Sequence, residues 1–100
     1  MREEGVAVKV IVELPAKPGR RDELRGVIEE LASRDRPSSY YGSTYYESLD
    51  DPDLLIDIAD WESAEARTTH LANAMATGSY GPALELLAGP FRAQVIRRLP

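Results

Sequence analysis

Cysteine is absent from this 100-residue chain, and histidine and tryptophan occur once each. Without cysteine there is no disulfide framework, no thiol nucleophile and no Cys-ligated zinc or iron–sulfur site. A basic excess is also lacking, because 12 Lys and Arg stand against 17 Asp and Glu, for a formal net charge of −5. This balance disfavours nucleic-acid binding through a broad basic face.

Long apolar runs are missing as well. The longest uncharged stretch, residues 68–84, contains Thr, His, Asn, Ser, Gly and Pro, so it does not have the character of a membrane span. The acidic N-terminal residues lead into a short apolar run broken by Lys9, which is not the pattern of a signal peptide. We therefore expect a cytoplasmic protein that binds neither membrane nor nucleic acid.

The residues present are those of a globular domain, with 43% apolar and 29% charged side chains. A chain of this length can bury one core, so we expect residues 1–100 to form a single domain. Strand-like runs alternate with amphipathic helical patterns, and Gly- and Pro-containing turns separate them. The predicted strands are residues 6–13, 40–48, 54–61 and 91–99, and the predicted helices are residues 20–33 and 64–76, with a short helix from Pro82.

The order βαββαβ predicts a ferredoxin-like α+β fold, an antiparallel sheet with helices on one face. In the third strand the face formed by residues 54, 56, 58 and 60 is the more apolar, so we expect it to face the helices. Asp57 and Trp61 would then lie on the uncovered face. That face would carry a ligand cavity or a partner.

Two titratable side chains are candidate catalytic groups. Asp57 is a carboxylate within an apolar strand, where burial raises its pKa and suits it to remove a phenolic or carbon-bound proton. An ion pair with Lys9, Arg67 or Arg92 is the alternative. His70, the sole imidazole, is a candidate acid or base near neutral pH, or else a hydrogen-bonded residue at the rim. It has no carboxylate at i+3 or i+4, so no metal site is expected.

Aromatic residues are candidates for substrate binding. The Trp61 indole could stack on a flat aromatic substrate, or simply pack at the end of the sheet. Strand alternation puts Tyr41 and Tyr45 on one face and Tyr40 and Tyr46 on the other, and either pair could line the cavity. We assign Tyr41, Tyr45 and Tyr46 to substrate binding, with cross-strand or interface packing as the alternative.

Several short motifs occur together in register. They are Lys17-Pro18-Gly19 before the first helix, Tyr46 followed by Asp50-Asp51-Pro52, Asp60-Trp61-Glu62-Ser63, His70-Leu71, and Leu87-Ala88-Gly89-Pro90. With these, residues 6–97 resemble the antibiotic-biosynthesis monooxygenase family of dimeric α/β-barrel proteins. The resemblance implies a homodimer whose two sheets pack face to face. The family includes cofactor-independent oxygenases of aromatic polyketides, quinol oxygenases, haem-degrading enzymes and isomerases.

The resemblance also bears on the reaction. Anthrone-oxidising members carry an Asn four residues before the Trp, where this chain has Asp57. Haem-degrading members carry an Asn on the first strand, which this chain lacks, although His70 falls where their haem ligand would. We expect a monooxygenase without a cofactor, acting on a small, flat aromatic polyketide- or quinol-like substrate. The alternatives are a non-oxidative isomerase or cyclase, and a ligand-binding dimer without chemistry.

Overall fold

The computed structural model describes residues 7–100 and shows an α+β fold with one four-stranded antiparallel sheet. The predicted ferredoxin-like order is confirmed; Val6, predicted to start the first strand, lies outside the described residues. The elements are β1 (Val8–Pro15), α1 (Arg21–Arg34), β2 (Tyr40–Glu47), β3 (Leu54–Trp61), α2 (Ala64–Thr77), α3 (Gly81–Leu84) and β4 (Arg92–Ile96). The last strand is shorter than predicted, because residues 91 and 97–99 lie outside it.

The sheet has the strand order β2-β3-β1-β4, so β1 and β3 are central. Val10 of β1 pairs with Ala59 of β3, and Val12 pairs with Asp57. Directly opposed residues share a face, so the wholly apolar face of β1 and the face of β3 that carries Asp57 point the same way.

The helices cover that shared face. Leu24 of α1 is fully buried and packs in one cluster with Leu14 of β1 and Leu55 of β3. A second cluster on the same face contains Val10 and Trp61. The main core therefore lies between the sheet and the helices.

This arrangement corrects our prediction for the faces of β3. Residues 54, 56, 58 and 60 point away from the helices, and Asp57 and Trp61 lie on the helix-covered side. The prediction was wrong because it compared the two faces of β3 alone, whereas pairing with Val8, Val10 and Val12 determines which face enters the core. The outward face (residues 9, 11, 13, 54, 56, 58 and 60) contains no buried residue.

The second helix, α2, begins at the predicted residue 64 and ends one residue beyond the predicted residue 76. The Ser63 hydroxyl accepts a hydrogen bond from the Ala66 N–H at 3.1 Å, which caps the N-terminus. Gly78 ends the helix with a φ of 72°, a conformation that favours glycine. No helix within residues 7–100 combines the length and apolar character needed to cross a membrane.

Candidate functional site

A cavity of about 280 Å³ lies between the sheet and the helices. It is near the lower end of the size range of small-molecule sites, roughly 300–1,000 Å³. The sheet contributes Val10, Val12, Tyr40, Ser43, Tyr45, Asp57, Ala59 and Trp61, α1 contributes Ile28, Leu31, Ala32 and Arg34, α2 contributes Arg67, His70, Leu71 and Ala74, and loops contribute Asp35, Ser79 and Tyr80. The sequence prediction of a cavity on the uncovered face is wrong, because pairing with β1 turns the Asp57 face of β3 toward the helices.

The Asp57 carboxylate lies in the wall formed by the sheet. Its Oδ1 atom is buried and has no hydrogen-bond partner among residues 7–100. None of the ion pairs proposed for it forms there, and Lys9 instead pairs with Asp60 at 2.6 Å on the outward face. Burial raises the pKa of the Asp57 carboxyl, and the nearby Ser43 hydroxyl lowers it in part. The site thus holds a carboxylate whose proton affinity is increased.

Three aromatic rings form one end of the cavity. Trp61 is only 7% exposed and lies between Tyr40 and His70. The ring centroids are 5.0 Å apart for Tyr40 and Trp61, and 5.4 Å apart for Trp61 and His70, with tilted planes in both pairs. The structure therefore brings four of the predicted site residues to one cavity: Asp57, Trp61, His70 and Tyr45.

The tyrosines of β2 are distributed differently from our prediction. Tyr45 lines the cavity, but its partner there is Tyr40, whereas Tyr41 and Tyr46 are 54% and 49% exposed and do not line it. The cause is a register shift between Tyr40 and Gly42, which breaks the simple alternation. Gly42 adopts a φ of 125°, and a glycine within a strand is the signal that would have indicated this bulge.

The cavity tyrosines are held as neutral phenols. Burial raises the pKa of Tyr45, and the charge of Asp57 raises it further. Burial likewise raises the pKa of Tyr40, while its hydrogen bond with Ser43 opposes that shift. The guanidinium of Arg25 lies 5.4 Å from the centre of the Tyr45 ring and covers it from α1.

Two further residues of the site were not assigned to it by sequence reasoning. The sequence indicates Arg67 only as a possible ion-pair partner of Asp57, and it does not single out Tyr80. Arg67 is four residues before Leu71, so the helical spacing of the inward stripe could have placed it in the cavity. Tyr80 follows the end of α2, and burial raises the pKa of its phenol. No sequence pattern indicated that this loop folds back over the sheet.

Metal ligands do not converge anywhere in the described part of the chain: residues 7–100 contain no group of three His, Asp or Glu placed to hold an ion. The polar groups that line the cavity are instead two carboxylates (Asp35 and Asp57), two guanidiniums (Arg34 and Arg67), one imidazole, three phenols and two serine hydroxyls. Such a set can exchange protons with a bound aromatic compound and hold it between rings.

Comparison with known proteins places this fold and sequence in context. The antibiotic biosynthesis monooxygenase family profile matches residues 7–77. No curated protein matches the chain. A candidate antibiotic biosynthesis monooxygenase from Bordetella bronchiseptica has a similar fold, with a TM-score of 0.82, 15% identity, and coverage of 95% of this chain and 99% of that one.

Two other solved structures extend the similarity. A candidate antibiotic biosynthesis monooxygenase from Nitrosomonas europaea has a TM-score of 0.77 and 14% identity, covering 99% of this chain and 96% of that one. The protein Rv0793 from Mycobacterium tuberculosis has a TM-score of 0.73 and 23% identity, covering 94% of this chain and 96% of that one. At these identities the structures support the fold, and the profile match over more than half of the chain supports the family. This protein belongs to the antibiotic biosynthesis monooxygenase family.

Proposed function

We propose that this protein is a monooxygenase that needs no added cofactor and oxidises a small, flat phenolic or quinol-like aromatic compound. The observation that carries the proposal is the buried Asp57 carboxylate, which has no ion-pair or hydrogen-bond partner at Oδ1 within residues 7–100 and lies in the aromatic-lined cavity. Accepting a proton from a ligand lowers the free energy of a carboxylate in that state.

The proposed reaction begins with proton removal. Asp57 takes a proton from the substrate, and its raised pKa brings its basicity closer to that of a phenol or an activated CH₂ group. In a substrate with an activated CH₂ group, such as an anthrone, the carbanion passes one electron to O₂, and the resulting radical pair combines to a peroxide. Protonation of the peroxide and loss of water convert the CH₂ group to a carbonyl, so that one oxygen atom enters the product and the other leaves as water.

The rings around Asp57 would hold the substrate during these steps. Trp61 and Tyr40 present the apolar faces on which a planar ring system packs, and Tyr45 can donate a hydrogen bond to a substrate oxygen. His70 lies against Trp61 and supplies a second group able to return the proton to the peroxide. Positioning the reactants in this way accounts for a large part of the rate enhancement in such a site.

Oxygen-electrode assays with anthrones and hydroquinones test the proposal. We expect turnover by the native chain, and losses of roughly 10²-fold or more in Asp57→Asn, because removing a general base typically costs 10²–10⁴-fold. Trp61→Phe should mainly raise KM. Glu62→Gln is the matched control, since Glu62 is an exposed carboxylate just beyond the same strand.

Two results would contradict the proposal. Equal turnover by Asp57→Asn and the native chain would remove Asp57 from the mechanism. Turnover of the same compounds at an unchanged rate under argon would show a non-oxidative isomerase or cyclase instead.

We further propose that the active form is a homodimer formed through the outward face of the sheet. Ile11 and Ile58 are paired neighbours on this face, and Ile56 lies beside them. They form an apolar strip that no helix of residues 7–100 packs against, flanked by the Lys9–Asp60 ion pair. A second copy would present the same strip, as a two-fold interface requires.

A further inference from the structure

A second, smaller cavity of about 130 Å³ adjoins the first. The two share six lining residues, which are Val12, Ile28, Asp57, Arg67, Leu71 and Tyr80. The remaining lining residues of the second cavity are all apolar: Leu14, Ala83, Leu84, Leu87 and Phe91. The site therefore has an aromatic, polar part and an aliphatic part, with charged groups where they meet.

Arg67 is the cation at this junction. It is half-buried, and no ion pair or hydrogen bond ties its guanidinium to another group within residues 7–100. Exposed arginines of α1 behave differently, since Arg25 pairs with Glu29 and Arg34 pairs with Glu30. A guanidinium that is partly withdrawn from water and makes no ion pair, although Asp35 and Asp57 line the same cavity, can receive a bound anion.

Asp57 does not serve as that counter-charge, although it lines the same two cavities. The two side chains are not within ion-pairing distance, so a ligand can lie between them. Tyr80 is near Arg67, whose positive charge acts on the Tyr80 phenol. The Tyr80 hydroxyl makes no hydrogen bond within residues 7–100. It is therefore available to donate a hydrogen bond to an anion that is bound by Arg67.

We propose that this site binds an amphiphilic aromatic acid, with its ring system in the first cavity, its carboxylate on Arg67 and Tyr80, and a short aliphatic substituent in the second cavity. The inference rests on the proposed function, because it names the substrate class of the same site. It assigns to Arg67 a role in binding and leaves proton removal to Asp57.

The fluorescence of Trp61, the single tryptophan of the chain, measures occupancy directly. The probes are 3-hydroxy-2-naphthoic acid, its neutral primary amide, and the same acid carrying an n-butyl group, titrated under argon so that no turnover is required. We expect the acid to bind at least tenfold more tightly than the amide. The butyl group should add about threefold to fourfold per methylene that enters the second cavity.

Variants assign the effect to individual groups. Arg67→Gln should weaken acid binding about tenfold or more and leave amide binding within twofold, and Arg67→Lys should restore part of the loss. Asp57→Asn should tighten acid binding, because it removes a like charge, while it lowers turnover roughly 10²-fold or more. Arg20→Gln, which changes an exposed arginine paired with Glu23, should alter neither acid binding nor turnover.

Equal binding of acid and amide by the native chain would overturn the proposal, and that comparison requires no variant to fold. Failure of all three probes to bind would overturn it as well, as would equal weakening of acid and amide by Arg67→Gln. These outcomes are independent of the oxygen-electrode assay. An Arg67-dependent acid preference without oxygen uptake would leave the binding inference standing and reject the oxygenase.

Discussion

Asp57 and Val12 face each other across the two central strands, and they are the only described inward residues of β1 and β3 that are half-buried rather than buried. Every other described inward residue of these strands is packed against helices or neighbouring strands. The cavity exists because the helices do not fill the space above this pair. A carboxylate whose Oδ1 atom is buried there without a hydrogen bond costs stability, and such local departures from good packing are typical of functional sites.

Replacing this carboxylate should therefore stabilise the fold. The raised pKa of Asp57 means that its ionised form is disfavoured in the folded chain relative to the unfolded one. The resulting loss of stability is present at neutral pH and is relieved as the pH falls through the raised pKa toward the unfolded value of about 3.9. We expect Asp57→Asn to raise Tm by several degrees at pH 7, and by less at pH 4.5, in differential scanning calorimetry.

The control for this measurement is Glu62→Gln, which removes the same charge from an exposed position. It should change Tm by less than Asp57→Asn at pH 7. A Tm for Asp57→Asn below that of the native chain at both pH values would show that the carboxylate is satisfied in the folded state.

At the scale of elements, the bulge in β2 determines which tyrosines reach the site. The extra residue, Tyr41, has no direct partner on β3, so Tyr40 and Tyr45 point to the same side although they are five residues apart. Strict alternation places residues that are five apart on opposite faces of a strand. It therefore could not predict that Tyr40 and Tyr45 line the cavity together. Gly42 tolerates the φ of 125° that the irregular register requires.

Helix α2 carries Arg67 and His70 into the cavity, and its first turn depends on one side chain. Ser63 accepts a hydrogen bond from Ala66, and replacing an N-cap serine by alanine typically costs about 1 kcal/mol. For a domain of this size 1 kcal/mol corresponds to about 4–8 °C in Tm. We expect Ser63→Ala to lower Tm by about that amount in thermal unfolding followed by circular dichroism.

Ser38→Ala is the matched control, because Ser38 is an exposed residue of the loop before β2. It should change Tm by no more than about 1–2 °C from that of the native chain, which is less than the decrease expected from losing the N-cap. Equal shifts for the two serine variants would mean that the cap does not stabilise α2.

At the scale of the whole molecule, the sheet of one chain is open and one of its faces is uncovered within residues 7–100. If two copies cover each other's sheets, sedimentation should give twice the 11.1 kDa mass of one chain at micromolar concentration. Ile58→Asp should shift the mass to that of one chain, because the proposed interface would then bury an unpaired charge.

Leu49→Asp provides the comparison, since Leu49 is 93% exposed in the turn between β2 and β3. It should leave the mass unchanged. A native chain that sediments as a monomer at these concentrations would reject the proposed homodimer. Loss of dimer in both variants would place the interface elsewhere.

The order of elements, the bounds of α2 to within one residue and the unusual carboxylate at position 57 could be predicted from the amino-acid sequence. These follow from local rules: hydrophobic period, capping side chains and turn residues act over a few neighbouring positions. The sequence did not predict which face of β3 enters the core, that Tyr40 and Tyr45 meet in the cavity, or that Arg67 and Tyr80 join them; the folded chain shows all three. Those outcomes depend on pairing between β1 and β3, on one bulge and on a loop folding over the sheet, which are contacts between residues distant in the chain.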